Sequence, residues 1–209
     1  MKAVLISIKS EWCYEIAKDK KKIEIRKNKP NTKTPFKCFI YATKPIKNYD
    51  KGLCLDEGKV GFVYKINYPA AKLYNMDIIS GKVIGEFVCD SVTKIYAHDK
   101  GYGVKVEHPF SDTFTKDTCL TLEQLDDYLC KKDGYGWHIS NLVIYEKPRE
   151  LSEFVSPEWF RDCEKQCTDI ERLRCPVKDS RKADKMCGWC RKGGKPITRP
   201  PQSWCYVEN

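Results

Sequence analysis

The 209-residue sequence predicts an α+β chain, a small mixed β-barrel with short flanking helices, followed by a small cysteine-rich extension. Three observations predict this. Apolar residues alternate with period two in five or six separate runs, whereas only two short inserted stretches repeat at helical spacing. Strands and helices do not alternate as a βαβ sheet requires, which favours a mixed barrel. Finally, the texture changes after Pro157, where Cys163, Cys167, Cys175, Cys187, Cys190 and Cys205 crowd the end of the chain.

Each element has a local reason. In Met1–Ile8, Val4, Ile6 and Ile8 alternate with Leu5 and Ser7, the pattern of a half-buried strand. Ser10 is placed to cap a helix over Glu11–Lys18 that turns Trp12, Cys13 and Ile16 inward. In Lys20–Lys27, Ile23 and Ile25 alternate with Lys22, Glu24 and Arg26, giving a second strand with one polar face. Asn28–Pro35 is a loop and Phe36–Thr43 a nearly continuous apolar strand. Residues 44–80 hold no period, because Gly52, Gly58 and Pro69 interrupt each one. Gly81–Val92 is a strand with Gly85 as a bulge or close approach. A turn-rich loop over His98–Pro109 follows, then a capped helix from Thr121 to Leu129. Gly136–Glu146 is the last long strand, and Pro148–Pro157 bounds the first domain, assigned to residues 1–155. The extension, 156–209, reads as an amphipathic helix at Trp159–Arg174, a polar basic stretch, a C-x-x-C, a Gly193–Gly194 turn and a closing strand, SWCYV.

The net charge is +9, unevenly placed: residues 1–50 carry thirteen basic side chains against five acidic, the middle of the chain thirteen against sixteen. A basic first quarter is the electrostatic footprint of a nucleic acid or another polyanion. With no run of about 18 apolar residues, a membrane-spanning helix is excluded. Met1 opens directly into a strand in place of a signal peptide, so a reducing cytoplasm is the expected compartment.

In that compartment clustered cysteines bind metal more often than they pair. Cys163 and Cys167 lie one helical turn apart, and Cys187-Gly188-Trp189-Cys190 has the form of a zinc knuckle. The expected ligands of a structural Zn2+ are therefore Cys163, Cys167, Cys187 and Cys190, with Cys175 as substitute and Cys205 packed on its strand. Four sulfurs leave no open position, so such an ion staples the tail and does not catalyse. Cys13, Cys38, Cys54, Cys89, Cys119 and Cys130 read as small buried hydrophobes.

The opening VLISIK, the helix holding Trp12, and K-K-I-E-I-R at Lys21–Arg26 together resemble the start of ASCH domains, members of the PUA-like β-barrel superfamily. GKVIGEFVCD at Gly81–Asp90, the Trp137–His138 strand and the following KPREL resemble that family's later blocks, so the resemblance spans roughly residues 1–155. The tail looks like an extension found on ASCH proteins of bacteriophages and gut bacteria. The resemblance implies binding of RNA or a modified nucleotide in a barrel-side pocket. It also implies relatives that cleave RNA or hydrolyse N4-acetylcytidine. The amidohydrolase triad of lysine, threonine three positions on, and a later glutamate falls on Lys21, Glu24 and Glu86, with Glu24 where the hydroxyl should stand.

These three are the candidate catalytic residues. Offset three on one strand puts Lys21 and Glu24 on opposite faces, so they converge only if the strand begins near Ile23 and Lys21 lies in the turn before it. Arg26, within a basic stripe with Lys20, Lys22, Lys27 and Lys29, is a phosphate contact. Tyr41, Trp137 and His138 are candidates to stack or bind an extruded base, and Ser7 to offer its hydroxyl. A reader of RNA or modified nucleotides is the leading function. An amidohydrolase or ribonuclease using the same pocket is the alternative, and a protein–protein adaptor the third.

Overall fold

A computed structural model describes residues 2–97, 104–106, 113–157, 159–160, 191–192 and 196–208. In chain order the elements are β1 (Lys2–Ile8), α1 (Ser10–Ala17), β2 (Ile23–Arg26), β3 (Phe36–Ala42), β4 (Lys51–Asp56), β5 (Lys59–Tyr64), α2 (Tyr68–Leu73), β6 (Asp77–Ile78), β7 (Val83–Ala97), β8 (Val104–Val106), α3 (Phe114–Thr118), α4 (Leu122–Leu129), β9 (Gly134–Arg149), β10 (Trp159–Phe160), β11 (Arg191–Lys192) and β12 (Trp204–Glu208). The architecture is α+β, as the sequence predicts. Among the described residues no helix is long and apolar enough to cross a membrane.

The main sheet runs β12-β1-β3-β7-β9-β2, with β8 on β7; β1 and β3 are parallel and the other pairs antiparallel. The expected barrel is not closed by hydrogen bonds among the described residues, because β2 pairs with β9 and not with β1 or β12. Period-two alternation divides the side chains between two faces. Val4, Ile6, Ile8, Cys38, Ile40, Phe87, Cys89 and Trp137 form the main core with Cys13 and Ile16 of α1. Ala3, Leu5, Phe39, Tyr41 and Val83 point the other way, under Phe154. A third cluster joins Ile23 and Ile25 of β2 to Phe114, Leu125 and Leu129 of α3 and α4.

Gly85 is a close approach, as expected: a Cβ there would drive into the Val143 carbonyl, at a shift in the β7–β9 register. Ser10 stands inside α1 instead of capping it. Its hydroxyl donates to the Thr43 carbonyl at 3.2 Å and lies 3.2 Å from Ser80 Oγ, tying the helix to the β3 exit. Thr121 caps α4 through a capping box with Gln124. The illegible stretch folds as a three-stranded sheet, β5-β4-β6, with Glu57 and Gly58 both at positive φ in the hairpin turn. There Pro69 stands in the first turn of α2, where its missing N–H is not needed.

The boundary expected after residue 155 does not separate the last strand from the sheet. β12 pairs with β1, and Ile197 N donates to the Phe154 carbonyl at 2.7 Å. Trp159–Phe160 pairs with Arg191–Lys192 as strand, not helix. The remainder of the expected tail helix and its zinc ligands, Cys163, Cys167, Cys175, Cys187 and Cys190, lie outside the described residues. Cys13, Cys38, Cys54 and Cys89 are buried as expected, but Cys119 is partly exposed and Cys130 exposed.

Candidate nucleotide site at the sheet seam

Lys21 reaches the site from the turn between α1 and β2. Asp19 adopts positive φ, and the N–H groups of Lys20 and Lys21 both donate to the Glu15 carbonyl, so the chain reverses before β2 begins at Ile23. That reversal removes the period-two conflict and brings Lys21 beside Glu24. Lys21 Nζ stands 3.6 Å from Glu24 Oε2, donates to the Thr118 carbonyl at 2.6 Å, and lies 5.1 Å from the centre of the Trp12 ring. At 2% exposure, its ammonium loses hydration, and burial pulls its pKa below the ordinary lysine value against the opposing pull of Glu24.

Glu24 also faces Arg26, whose Nη2 is 2.9 Å from Glu24 Oε1. The guanidinium then crosses the open seam of the sheet: Nη2 donates to the Ser7 carbonyl at 2.6 Å and Nη1 to Ser203 Oγ at 3.4 Å. Three buried ionisable groups thus hold two positive charges against one negative. Such a cluster is costly unless its remaining donors find acceptors.

Trp137 sits opposite Glu24 on β9 and is fully buried, with its ring 5.6 Å from Phe36 and 6.1 Å from Trp204. Among the described residues, Arg26 Nε and Trp137 Nε1 have no hydrogen-bond partner. Both are donors only, so what would satisfy them is an acceptor.

The structure therefore brings Lys21, Glu24, Arg26 and Trp137 together. Ser7 joins them through its carbonyl, because alternation on β1 and the Ser7–Tyr41 register turn its side chain to the opposite face. Glu86 is not with Lys21 and Glu24. Paired with Phe39 on β3, it lies on the sheet's other face, with Oε1 2.9 Å from Lys37 Nζ and Oε2 accepting from the Tyr145 hydroxyl at 2.6 Å. Burial raises the Glu86 carboxyl, but those two hydrogen bonds and the charges of Lys37 and Arg149 outweigh it, leaving it below the usual carboxylate value.

Tyr41 is buried on that second face under Phe154, where burial and the Glu150 charge raise its phenol. His138, opposite Ile23, lies on the face away from Trp137, with Nε2 2.7 Å from Thr93 Oγ1. Burial lowers its pKa, with Asp90 and Asp117 opposing. The basic stripe is also less free than expected. Arg26 turns inward, Lys20 pairs with Glu15, Lys22 with Asp19, and Lys27 lies against Tyr128 and Cys130. Sequence reasoning missed Ser203 and Trp204, whose only signal is the S-W pair opening the last strand, and the backbone carbonyl of Thr118.

No family model matches the chain, and no curated protein matches it. Among solved structures, it is similar to an ASCH structure from Zymomonas mobilis at 16% identity, over 71% of this chain and 73% of that one, with a TM-score of 0.44. Two single-residue variants of that protein match at 15% identity over 72% and 77% with a TM-score of 0.45, and at 13% over 99% and 88% with a TM-score of 0.49. ASCH is the family whose blocks the sequence resembles.

Proposed function

We propose that this chain is an ASCH-type reader of RNA or of a modified nucleotide, which receives one base at the seam beside Lys21, Glu24, Arg26 and Trp137. The observation that carries the reading is the pair of buried donors without acceptors, Arg26 Nε and Trp137 Nε1, in a cluster with one positive charge in excess. A nucleotide supplies what this lacks: carbonyl and ring-nitrogen acceptors on the base and negative charge on the phosphate. The half-buried indoles of Trp12 and Trp204 flank the cluster as apolar walls.

An enzyme of the same pocket is the second reading. The lowered pKa of Lys21, held against a carboxylate, favours it, since proton transfer needs an ammonium that releases its proton more readily. Such an enzyme would work without Glu86, which lies on the other face of the sheet.

Wild type and Lys21→Ala, melted with and without modified nucleosides, nucleotides and short RNAs and assayed for product, separate these readings. A ligand that raises the wild-type melting temperature and is lost in the variant, without turnover, is the expected result. Lys21-dependent product makes the chain an enzyme. Silence of wild type in both assays overturns the pocket and leaves the adaptor.

A further inference from the structure

The segment that the sequence leaves unread builds a second surface. On β5, Phe62 and Tyr64 share a face and remain 36% and 45% exposed, although β4 and β5 pack against α1. Lys51, opposite Tyr64 in the hairpin register, holds its ammonium 5.5 Å from the centre of the Phe62 ring and 5.9 Å from that of Tyr64. Across the junction with the helix, Phe62 stacks on Tyr14 at 4.3 Å between ring centres, tilted by 32°. Lys18, the C-cap of α1 four residues on, closes the row 5.5 Å from the Tyr14 ring. The order along the surface is cation, ring, ring, cation, ring.

Charge indicates the occupant. Residues 44–78 carry six lysines against four carboxylates, and among the described residues none of those lysines, nor Lys18, is paired with a carboxylate. One of the four carboxylates, Asp50, is engaged by the N–H groups of Ile46 and Lys47. Elsewhere on the molecule lysines do find carboxylates, as Lys37, Lys82 and Lys94 do. A protein partner of ordinary composition would bury these ammonium groups, which no carboxylate neutralises among the described residues, at a cost. A single-stranded nucleic acid needs them: phosphates neutralise cations along a track, and unstacked bases lie on exposed rings without regard to sequence.

We propose that the Lys18–Tyr14–Phe62–Lys51–Tyr64 row is a second binding surface, which tracks single-stranded RNA outside the seam pocket. It deepens the reader function and rests on the ligand being a nucleic acid, but not on the pocket being the place where a base is read. Trp12 and Tyr14 are two residues apart, and so on opposite sides of α1. The helix therefore separates the two sites, and a strand bound at both must pass over it.

The test uses the full chain, fluorescently labelled 12-nucleotide oligouridine, and cytidine monophosphate as the short probe. Lys51 is exposed and makes no carboxylate pair among the described residues, so Lys51→Gln is expected to keep the fold; Lys51→Gln combined with Tyr64→Ser removes a cation and a stacking ring. The double variant is expected to bind the oligonucleotide about tenfold more weakly. The salt slope of log K should flatten by roughly 0.7 for the lost lysine. Binding of the monophosphate should not change. Wild-type affinity and slope in both variants overturn the inference, as does a wild-type chain that binds the monophosphate but no oligonucleotide. If the variants change only the sedimentation of the protein and not RNA binding, the row docks protein and the inference falls. If the oligonucleotide is lost with the row while Lys21→Ala alters neither probe, the row stands and the seam pocket fails.

Discussion

Arg26 of β2 donates to the carbonyl of Ser7 on β1 at 2.6 Å, and this bond reaches from one edge strand of the sheet to the strand beside the other edge. Among the described residues backbone pairing does not close the barrel there, and the Arg26 guanidinium ties β2 to β1 and to the Ser203 hydroxyl ahead of β12. The residue that holds the seam also carries a donor, Nε, with no partner among the described residues. On the proposed function, an acceptor bound at Arg26 Nε would also brace the strand ends.

Glu24→Gln is expected to destabilise the chain by about 3–5 kcal/mol, because it leaves Lys21 and Arg26 buried without their counter-charge. Adding Arg26→Met should recover part of that loss, since one of the two orphaned cations is gone. Urea titration of the single and double variants reads both effects. A double variant no more stable than Glu24→Gln would show that the buried cations are not the cause.

Trp137 and Trp204 should separate packing from binding. Trp137→Ala removes a fully buried indole and is expected to cost about 3–5 kcal/mol in a thermal or denaturant melt. Trp204 is only half-buried, and Trp204→Ala should lower the affinity for the stabilising nucleotide about tenfold or more. Equal nucleotide affinity in Trp204→Ala and wild type would remove this ring from the site.

Glu86→Gln is expected to leave nucleotide affinity and any turnover within twofold of wild type, because its carboxylate serves Lys37 and Tyr145 on the other face of the sheet. A large loss of activity with an unchanged melt would restore Glu86 to the chemistry.

His138 gives a pH signature. Its folded pKa lies below 6.5, so the unfolded chain binds more protons in the window just under that value. Its contribution to stability is present above 6.5 and is lost as pH falls through the folded pKa. His138→Gln should therefore flatten the rise of melting temperature with pH across roughly pH 5–7. Parallel curves for the two proteins would show that His138 is not responsible.

The tail is expected to carry a single zinc ion through Cys163, Cys167, Cys187 and Cys190, which elemental analysis of the full chain measures. Cys187→Ser together with Cys190→Ser should abolish the metal and make the tail more sensitive to limited proteolysis. Full zinc retention in that variant would exclude these ligands.

Much of this was legible along the chain. K-K-I-E-I-R placed Lys21 and Glu24 and stated the condition for their meeting, a strand that starts near Ile23. Runs such as FKCFIYAT and GKVIGEFVCD fixed strands because apolar alternation is a local property of a pleated chain. Residues 44–80 were not legible, because the β4–β5 hairpin takes its turn from Glu57–Gly58 and its burial from α1, a neighbour far back in sequence.

What the sequence by itself determined was the kind of protein: a mixed α+β sheet, a basic first quarter, and a lysine–glutamate pair at the mouth of β2. Only the tertiary structure decided membership of the site. Period two puts Phe87 and Glu86 on opposite faces, so once Phe87 enters the main core, Glu86 must leave it. Which face is the core depends on the register with β3 and β9, and register depends on partners far away in the chain. The same long-range pairing brings Ser203 and Trp204 beside Arg26 and Trp137, a juxtaposition no local pattern encodes.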